Sequence, residues 1–289
     1  MKASIDYHFP RKAFGDERAL QVIREAGFEA LDFTFYWLPE DEDPLNQPNY
    51  AQYARKLRAV ADDCGLFVTQ AHAPFVFNST DTPEKQAHDL RNLHRSLEFA
   101  AILGANSIVV HNVTTENPAD FRSYNLDFYN GFADECRAHG IKIAVENLWS
   151  MKDNKVVGGR LSTPEELSSF LDQLDPACFC ACIDVGHSAI VGQNPGDFIR
   201  KLGTPKLQAL HIQDTDLMRD SHMLPYLGKH NWDDITKALA EADYQGDFSL
   251  EVFNFTRNIP KEELPLALKL ASRIAHHLID QVEEYRKQK

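Results

Sequence analysis

No stretch of this 289-residue chain reaches the ~18 consecutive apolar residues that would span a bilayer. Its first residues, MKASIDYHFPRK, contain no apolar run of the signal-peptide kind. Positive charge is scarce: 30 Lys and Arg stand against 43 Asp and Glu, a formal net charge of −13. That balance disfavours non-specific affinity for phosphate backbones or anionic membranes. Nor does any segment interleave basic and aromatic residues as a duplex-gripping surface would. No Gly/Ser/Pro-rich linker interrupts the chain, so one domain over residues 1–289 is expected. The five cysteines are an odd number. Cys178, Cys180 and Cys182 alternate along one strand and are too close for a C-x-x-C metal knuckle. They read as reduced, small, buried residues of a cytoplasmic protein.

What is present is regular alternation. Short β-type runs at about 2–8, 29–36, 67–72, 106–112, 141–147, 178–184, 207–212 and 247–253 are separated by helical patterns. Several runs are nearly continuously apolar, as expected of parallel strands covered on both faces. RALQVIREAG and NYAQYARKLRAVADDCG end in Gly27 and Gly65, a helix stop signal. STDTPEKQAHDL and STPEELSSFLDQL each place Ser/Thr before Pro and acidic residues, a helix start signal. A last helix is expected over about 261–286. Eight strand–helix units in strict alternation predict a (β/α)8 TIM barrel. An open doubly wound sheet is disfavoured, because no Gly-rich dinucleotide fingerprint follows the first strand.

Six of the apolar runs end in a residue able to hold a metal: His72, His111, Glu146, Asp184, His211 and Glu251. The gaps between them are 39, 35, 38, 27 and 40 residues, each about one β/α unit. An ionisable group at the end of an apolar strand costs several kcal/mol unless it is paired or metal-bound. A parallel barrel gathers the C-terminal strand ends around one mouth, so a shared site is expected there. Glu146, Asp184, His211 and Glu251 make an O3N donor set. It suits Mn2+ first, with Mg2+, Co2+ or Zn2+ as alternatives, and lacks the thiolates of a closed structural zinc site.

The ordered motifs VENLW, IDVGHS, ALHIQDTDLMRDSHMLPYLGKHNW and LEVF resemble the xylose isomerase-like TIM-barrel superfamily over nearly the whole chain. That group contains sugar phosphate isomerases/epimerases, ketose 3-epimerases, inosose dehydratases and apurinic-site endonucleases. The resemblance implies one divalent ion on Glu146, Asp184, His211 and Glu251, with Glu146 and Glu251 doubling as the acid/base pair. It places His187 and Arg219 against substrate oxygens, with Asp220 and His222 shaping the pocket beside them. His72 and His111 are expected to hydrogen-bond a polyol, and Trp37, Phe35 and Trp149 to wall its carbon face. His8, at the end of the first strand, is a weaker candidate for substrate contact.

The implied activity is isomerisation or epimerisation of a sugar or sugar phosphate through a metal-stabilised enediolate. Two carboxylates on opposite sides of the substrate remove and return the proton. The alternatives are a metal-dependent sugar or inosose dehydratase or lyase, and a zinc-dependent apurinic-site endonuclease. The endonuclease would hold three ions on His72, His111, Glu146, Asp184, His187, His211, Asp220, His222 and Glu251. The acidic balance weighs against nucleic acid as a partner. A small sugar or polyol is the expected ligand, no membrane partner is expected, and oligomeric state is left open, with a homodimer as the natural candidate. The segments 39–50 and 147–162 are candidate lids over the mouth, with Lys152, Lys155 and Arg160 as cations that could clamp a phosphate.

Overall fold

The eight apolar runs form eight strands in a computed structural model that describes residues 1–35 and 43–288. They are β1 (Ala3–Asp6), β2 (Ala30–Thr34), β3 (Phe67–His72), β4 (Ser107–Val110), β5 (Lys142–Glu146), β6 (Phe179–Asp184), β7 (Leu207–His211) and β8 (Phe248–Leu250). Every neighbouring pair within this sheet is parallel, in the order β8-β1-β2-β3-β4-β5-β6-β7. A parallel bridge between Ile212 and Leu250 brings the free edges together. Ile212 N donates to Ser249 O (2.8 Å) and Glu251 N to Ile212 O (2.9 Å). The result is a nearly closed TIM barrel with helices between its strands. Trp37 and residues 39–42 of the first candidate lid lie outside the described residues.

The helices start and stop where the local chemistry requires. Thr82 caps Pro83–Leu103 by accepting from Lys85 N, and Thr163 caps Pro164–Leu171 by accepting from Glu166 N. Pro at the first position of each has no N–H to leave unsatisfied. Tyr50–Cys64 ends at Gly65, whose φ of 67° is the left-handed turn that releases carbonyls from the helix. The last helix, Leu264–Lys287, begins three residues later than its apolar pattern suggests, after the turn from Pro260 to Glu263.

Two cores result. The larger fills the layer between strands and helices. The smaller, Val109, Ala144, Cys180, Cys182 and Ala209, lies within the barrel on the β4–β7 side. Small side chains there leave room for the polar groups that the opposite strands turn inward, since successive residues of a strand alternate in direction. Gln70 Nε2 donates to Asp32 Oδ2 (2.6 Å) and, across the barrel, to Leu210 O (3.2 Å). Cys180 and Cys182 are thus buried thiols, and all five cysteines are unpaired. No helix of the described residues is long and apolar enough to cross a membrane.

Candidate functional site

Four strand ends build the centre of the site. Glu146, Asp184 and His211 are the last residues of β5, β6 and β7, and Glu251 follows β8 directly. All four are buried, and one ligand atom from each lies within 4.8 Å of all the others. His211 Nδ1 stands between the two glutamates, 2.9 Å from Glu146 Oε1 and 3.5 Å from Glu251 Oε2. Below the mouth, its Nε2 is 3.4 Å from Asp32 Oδ2. Asp184 has a second role as the N-cap of the short helix Val185–Ile190, where Oδ1 accepts from His187 N (2.7 Å).

Two further groups adjoin this one. His72 Nε2 is 3.3 Å from His111 Nε2, which is 2.9 Å from Glu146 Oε2. On the other side, Asp220 Oδ2 is 3.3 Å from His187 Nε2 and 3.0 Å from His222 Nε2. His187 Nδ1 reaches to 3.4 Å from Glu146 Oε1, and His222 Nδ1 to 3.4 Å from Glu251 Oε2. Nine residues from the ends of six strands, β3 to β8, and the segments that follow β6 and β7 therefore share one cluster.

Burial and neighbouring charges set the proton affinities in opposite senses. Burial pushes the Glu146 carboxyl up, but His211 and His111 outweigh it and hold the group well below the usual carboxylate range. Glu251 rises to about 8, because its burial exceeds the pull of His211 and His222. Burial works against charge on His187 too, yet Asp184 and Asp220 raise it well above an ordinary imidazole. His222 rises to about 9 against its burial, through Glu251 and Asp220. His72 goes the other way, lowered well below normal by burial and by His111 and His211. Protons on imidazoles thus offset carboxylates that have been taken out of water. A divalent cation fits the same place: three carboxylates and one imidazole converge within its reach, and their burial carries a cost that such an ion would relieve.

A cavity of about 390 Å³ opens over this cluster. Glu146 and Glu251 line it, as do His72, His111, His187 and His222, whereas Asp184 and His211 do not. Trp149 lines it as well and donates from Nε1 to Asp220 Oδ2 (3.3 Å). Arg219 does not line it. Its side chain is 80 % exposed on the β7 loop and pairs with Asp216 at 3.1 Å. The guanidinium at the cavity wall belongs to Arg257, which lies over the Phe253 ring. Phe35 packs in the core against Phe33 and Phe99 instead of facing the mouth. His8 begins the helix His8–Phe14 and does not line this inner cavity.

Several positioning residues carry no signal of their own in the sequence. Gln213 Nε2 donates both to Asp184 Oδ2 (3.0 Å) and to Asp220 Oδ1 (2.8 Å), while its Oε1 accepts from His222 N (2.7 Å). One amide therefore ties the four-residue centre to the His187–Asp220–His222 group. Asn147 joins β5 to β6 by exchanging hydrogen bonds with the Asp184 backbone (2.8 and 3.0 Å). Asp214 accepts from the N–H groups of Thr215 (2.9 Å), Tyr226 (2.9 Å) and His230 (3.1 Å) and from Trp232 Nε1 (3.0 Å). The loop that carries Asp220 and His222 is folded around that carboxylate. The best available hint was position, since each of the three follows a strand end by one to three residues.

A sequence model described as xylose isomerase-like TIM barrel matches residues 20–273. The chain belongs to that family. It is 26% identical over 259 residues to the uncharacterized protein y4fM of Sinorhizobium fredii, covering 82% of this chain and 81% of that protein. Over a shorter stretch of 129 residues it is 31% identical to the D-psicose 3-epimerase of Enterocloster bolteae, covering 45% of this chain and 38% of the epimerase. Among solved structures, a D-tagatose 3-epimerase-like protein superposes with a TM-score of 0.75 at 21% identity, over 98% of this chain and 99% of the other. The β-strand order and the family thus agree with the resemblance carried by the VENLW, IDVGHS and LEVF motifs.

Proposed function

We propose that this chain is a divalent-metal-dependent sugar isomerase or epimerase in which Glu146 and Glu251 remove a proton from the substrate and return one to it. The observation that supports this most directly is a division among four clustered residues. The two glutamates face the inner cavity, and Asp184 and His211 stand behind them. Glu146, Asp184, His211 and Glu251 would hold the ion, with Mn2+ the first choice. When bound, it supplies positive charge against the negative charge that develops on two neighbouring substrate oxygens.

The protein's own groups do the rest. One glutamate takes the proton from the carbon beside the carbonyl, and the other returns a proton on the opposite face or to the neighbouring carbon. They come from β5 and β8, three strands apart, with the His211 ring between them. His72, His111, His187 and His222 offer hydrogen bonds to hydroxyl groups from the cavity wall. Arg257 is placed to take the role that sequence resemblance gave to Arg219. Names of similar proteins, D-psicose 3-epimerase among them, agree in reaction class.

The test is turnover of a ketose panel in deuterated water with added Mn2+. Solvent label is expected on the carbon whose configuration or oxidation level changes. If no ketose is turned over and none raises the melting temperature of the Mn2+ form, the reading fails. A product lighter by one water would move the assignment to a dehydratase.

One observation favours a second reading. The nine residues that a three-zinc apurinic-site endonuclease would use stand together. A net charge of −13 weighs against a polyanionic substrate. No cleavage of an abasic-site duplex is expected at physiological ionic strength with added zinc. Cleavage that disappears in His222→Ala would shift the assignment to the endonuclease.

A further inference from the structure

The inner cavity is only part of the concave surface at the mouth. A second cavity of about 880 Å³ borders it, and the two share Phe75, His111, Leu148 and Trp149. Ligand cavities generally run from ~300 to ~1,000 Å³. At about 390 Å³ the inner one is sized for a small substrate, and the outer one offers more than twice that volume again. Proton removal and return by Glu146 and Glu251 makes no use of this space.

The lining of the outer cavity has the chemistry of polyol recognition. Asn78, Asn112, Thr115 and Ser162 present amides and hydroxyls, which donate and accept without net charge. Aromatic rings stand beside them. Phe75 is 47 % exposed at the boundary between the cavities, and Trp149 lies on the same boundary. A flat apolar face next to hydroxyl and amide groups suits a sugar ring, which has a C–H face and a hydroxyl edge.

Charge in the outer cavity is of mixed sign, with Lys152, Arg160 and Glu166 on its walls. Of its cations, Arg160 already donates to Pro118 O (3.0 Å) and covers the Phe121 ring at 5.4 Å. Lys152 sits on the exposed arm of a hairpin, and Glu166 brings the opposite sign to the same wall.

The wall is built, not incidental. The segment after Glu146 forms the hairpin Trp149–Lys152 and Lys155–Gly158. At its base the chain crosses itself closely. A Cβ on Gly159 would lie 2.6 Å from Leu148 O and 2.9 Å from the Trp149 carbonyl carbon, and one on Gly158 would lie 2.7 Å from Ser162 Oγ. Residues without side chains at 158 and 159 allow the hairpin to stand where it borders both cavities.

We infer that the substrate has two parts: a ketose that reacts in the inner cavity, joined to a second, uncharged sugar unit held in the outer one. This rests on the isomerase or epimerase reading above. Binding energy from the second unit would be available to position the reacting sugar.

The test compares the full-length, Mn2+-loaded protein on fructose, psicose and tagatose, on the ketose disaccharides lactulose and isomaltulose, and on fructose 6-phosphate. Turnover and calorimetric binding are both measured. A disaccharide is expected to exceed every free ketose by about 10-fold or more in kcat/KM and in affinity. Asn78→Trp and Thr115→Trp, each checked for an unchanged melting transition, should close that gap by raising the disaccharide KM. Equal activity on free and glycosylated ketoses, or preference for the phosphate, would overturn the two-part substrate and leave the isomerase reading standing. If none of these sugars binds or reacts, both readings fall together.

Discussion

The inner and outer cavities share a boundary but are made in different ways. The inner one centres on strand ends, and most of its ionisable side chains are buried and hydrogen-bonded to one another. The outer one rests on loops and a hairpin, with neutral amides and hydroxyls beside Lys152, Arg160 and Glu166, and with glycine crossings at its base. A strand end is held by neighbours on both sides, so it can fix a carboxylate against the cost of desolvation. A loop can change shape and length without disturbing the barrel. On the proposed reading, chemistry belongs to the sheet and selection of the substrate to the connections.

The largest expected effect lies in the inner cavity. Glu146→Gln and Glu251→Gln should each lower kcat by more than ~100-fold, as loss of a general acid/base does. Steady-state kinetics of a turned-over ketose would check it. Near-normal kcat in either variant would remove that residue from the proton path. Next in size is metal removal. Chelation should lower the melting temperature by roughly 4–5 °C, which corresponds to an ion present at ~100 times its dissociation constant. Asp184→Asn should give a smaller shift on chelation and a lower metal content by elemental analysis.

A third prediction concerns the amide that links the inner groups. Gln213→Leu leaves Asp184 Oδ2 and Asp220 Oδ1 without their donor. Metal affinity should fall by about 10–100-fold, as for lost supporting hydrogen bonds around ligands. Gln213→Glu should not restore it, since it adds a carboxylate where a donor is needed. Titration of the apo protein with Mn2+ would read both.

The smallest effect belongs to the outer cavity. Gly159→Ala forces the hairpin base to shift, at a cost of about 1–3 kcal/mol for an overpacked contact. KM should change more than kcat, with metal content as in the unmodified protein. Loss of metal in this variant would show that the two cavities are coupled and break the comparison.

The same contrast explains what could be read from the sequence. β5, β6 and β7 end at Glu146, Asp184 and His211 as the apolar runs indicated, because period and burial are local properties of the chain. Their meeting followed from the barrel, which brings strand ends to one mouth whatever their separation in sequence. Gln213, Asn147 and Asp214 were not legible, since an amide or a carboxylate after a strand is ordinary until its partners are known. Arg219 illustrates the limit for loops. Its place in a motif suggested a substrate contact, but the turn of the β7 loop points it to solvent and Asp216, while Arg257 reaches the wall from after β8. The hairpin after β5 was legible only as a candidate lid over residues 147–162, without its paired strands.

Asp214 has a consequence for the integrity of the rim. The exposed tip at Met218 divides the β7 loop into two arms. Asp214 lies on the first, and three of its donors, Tyr226, His230 and Trp232, lie on the second. Asp214 and Met223 also exchange backbone hydrogen bonds across the arms (2.8 and 3.1 Å). A protease cut at Met218 would therefore leave both strands of the loop stitched together below the break. The nicked protein should keep Asp220 and His222 in place, and residue 218 becomes a site where extra chain can be spliced in without unravelling the mouth.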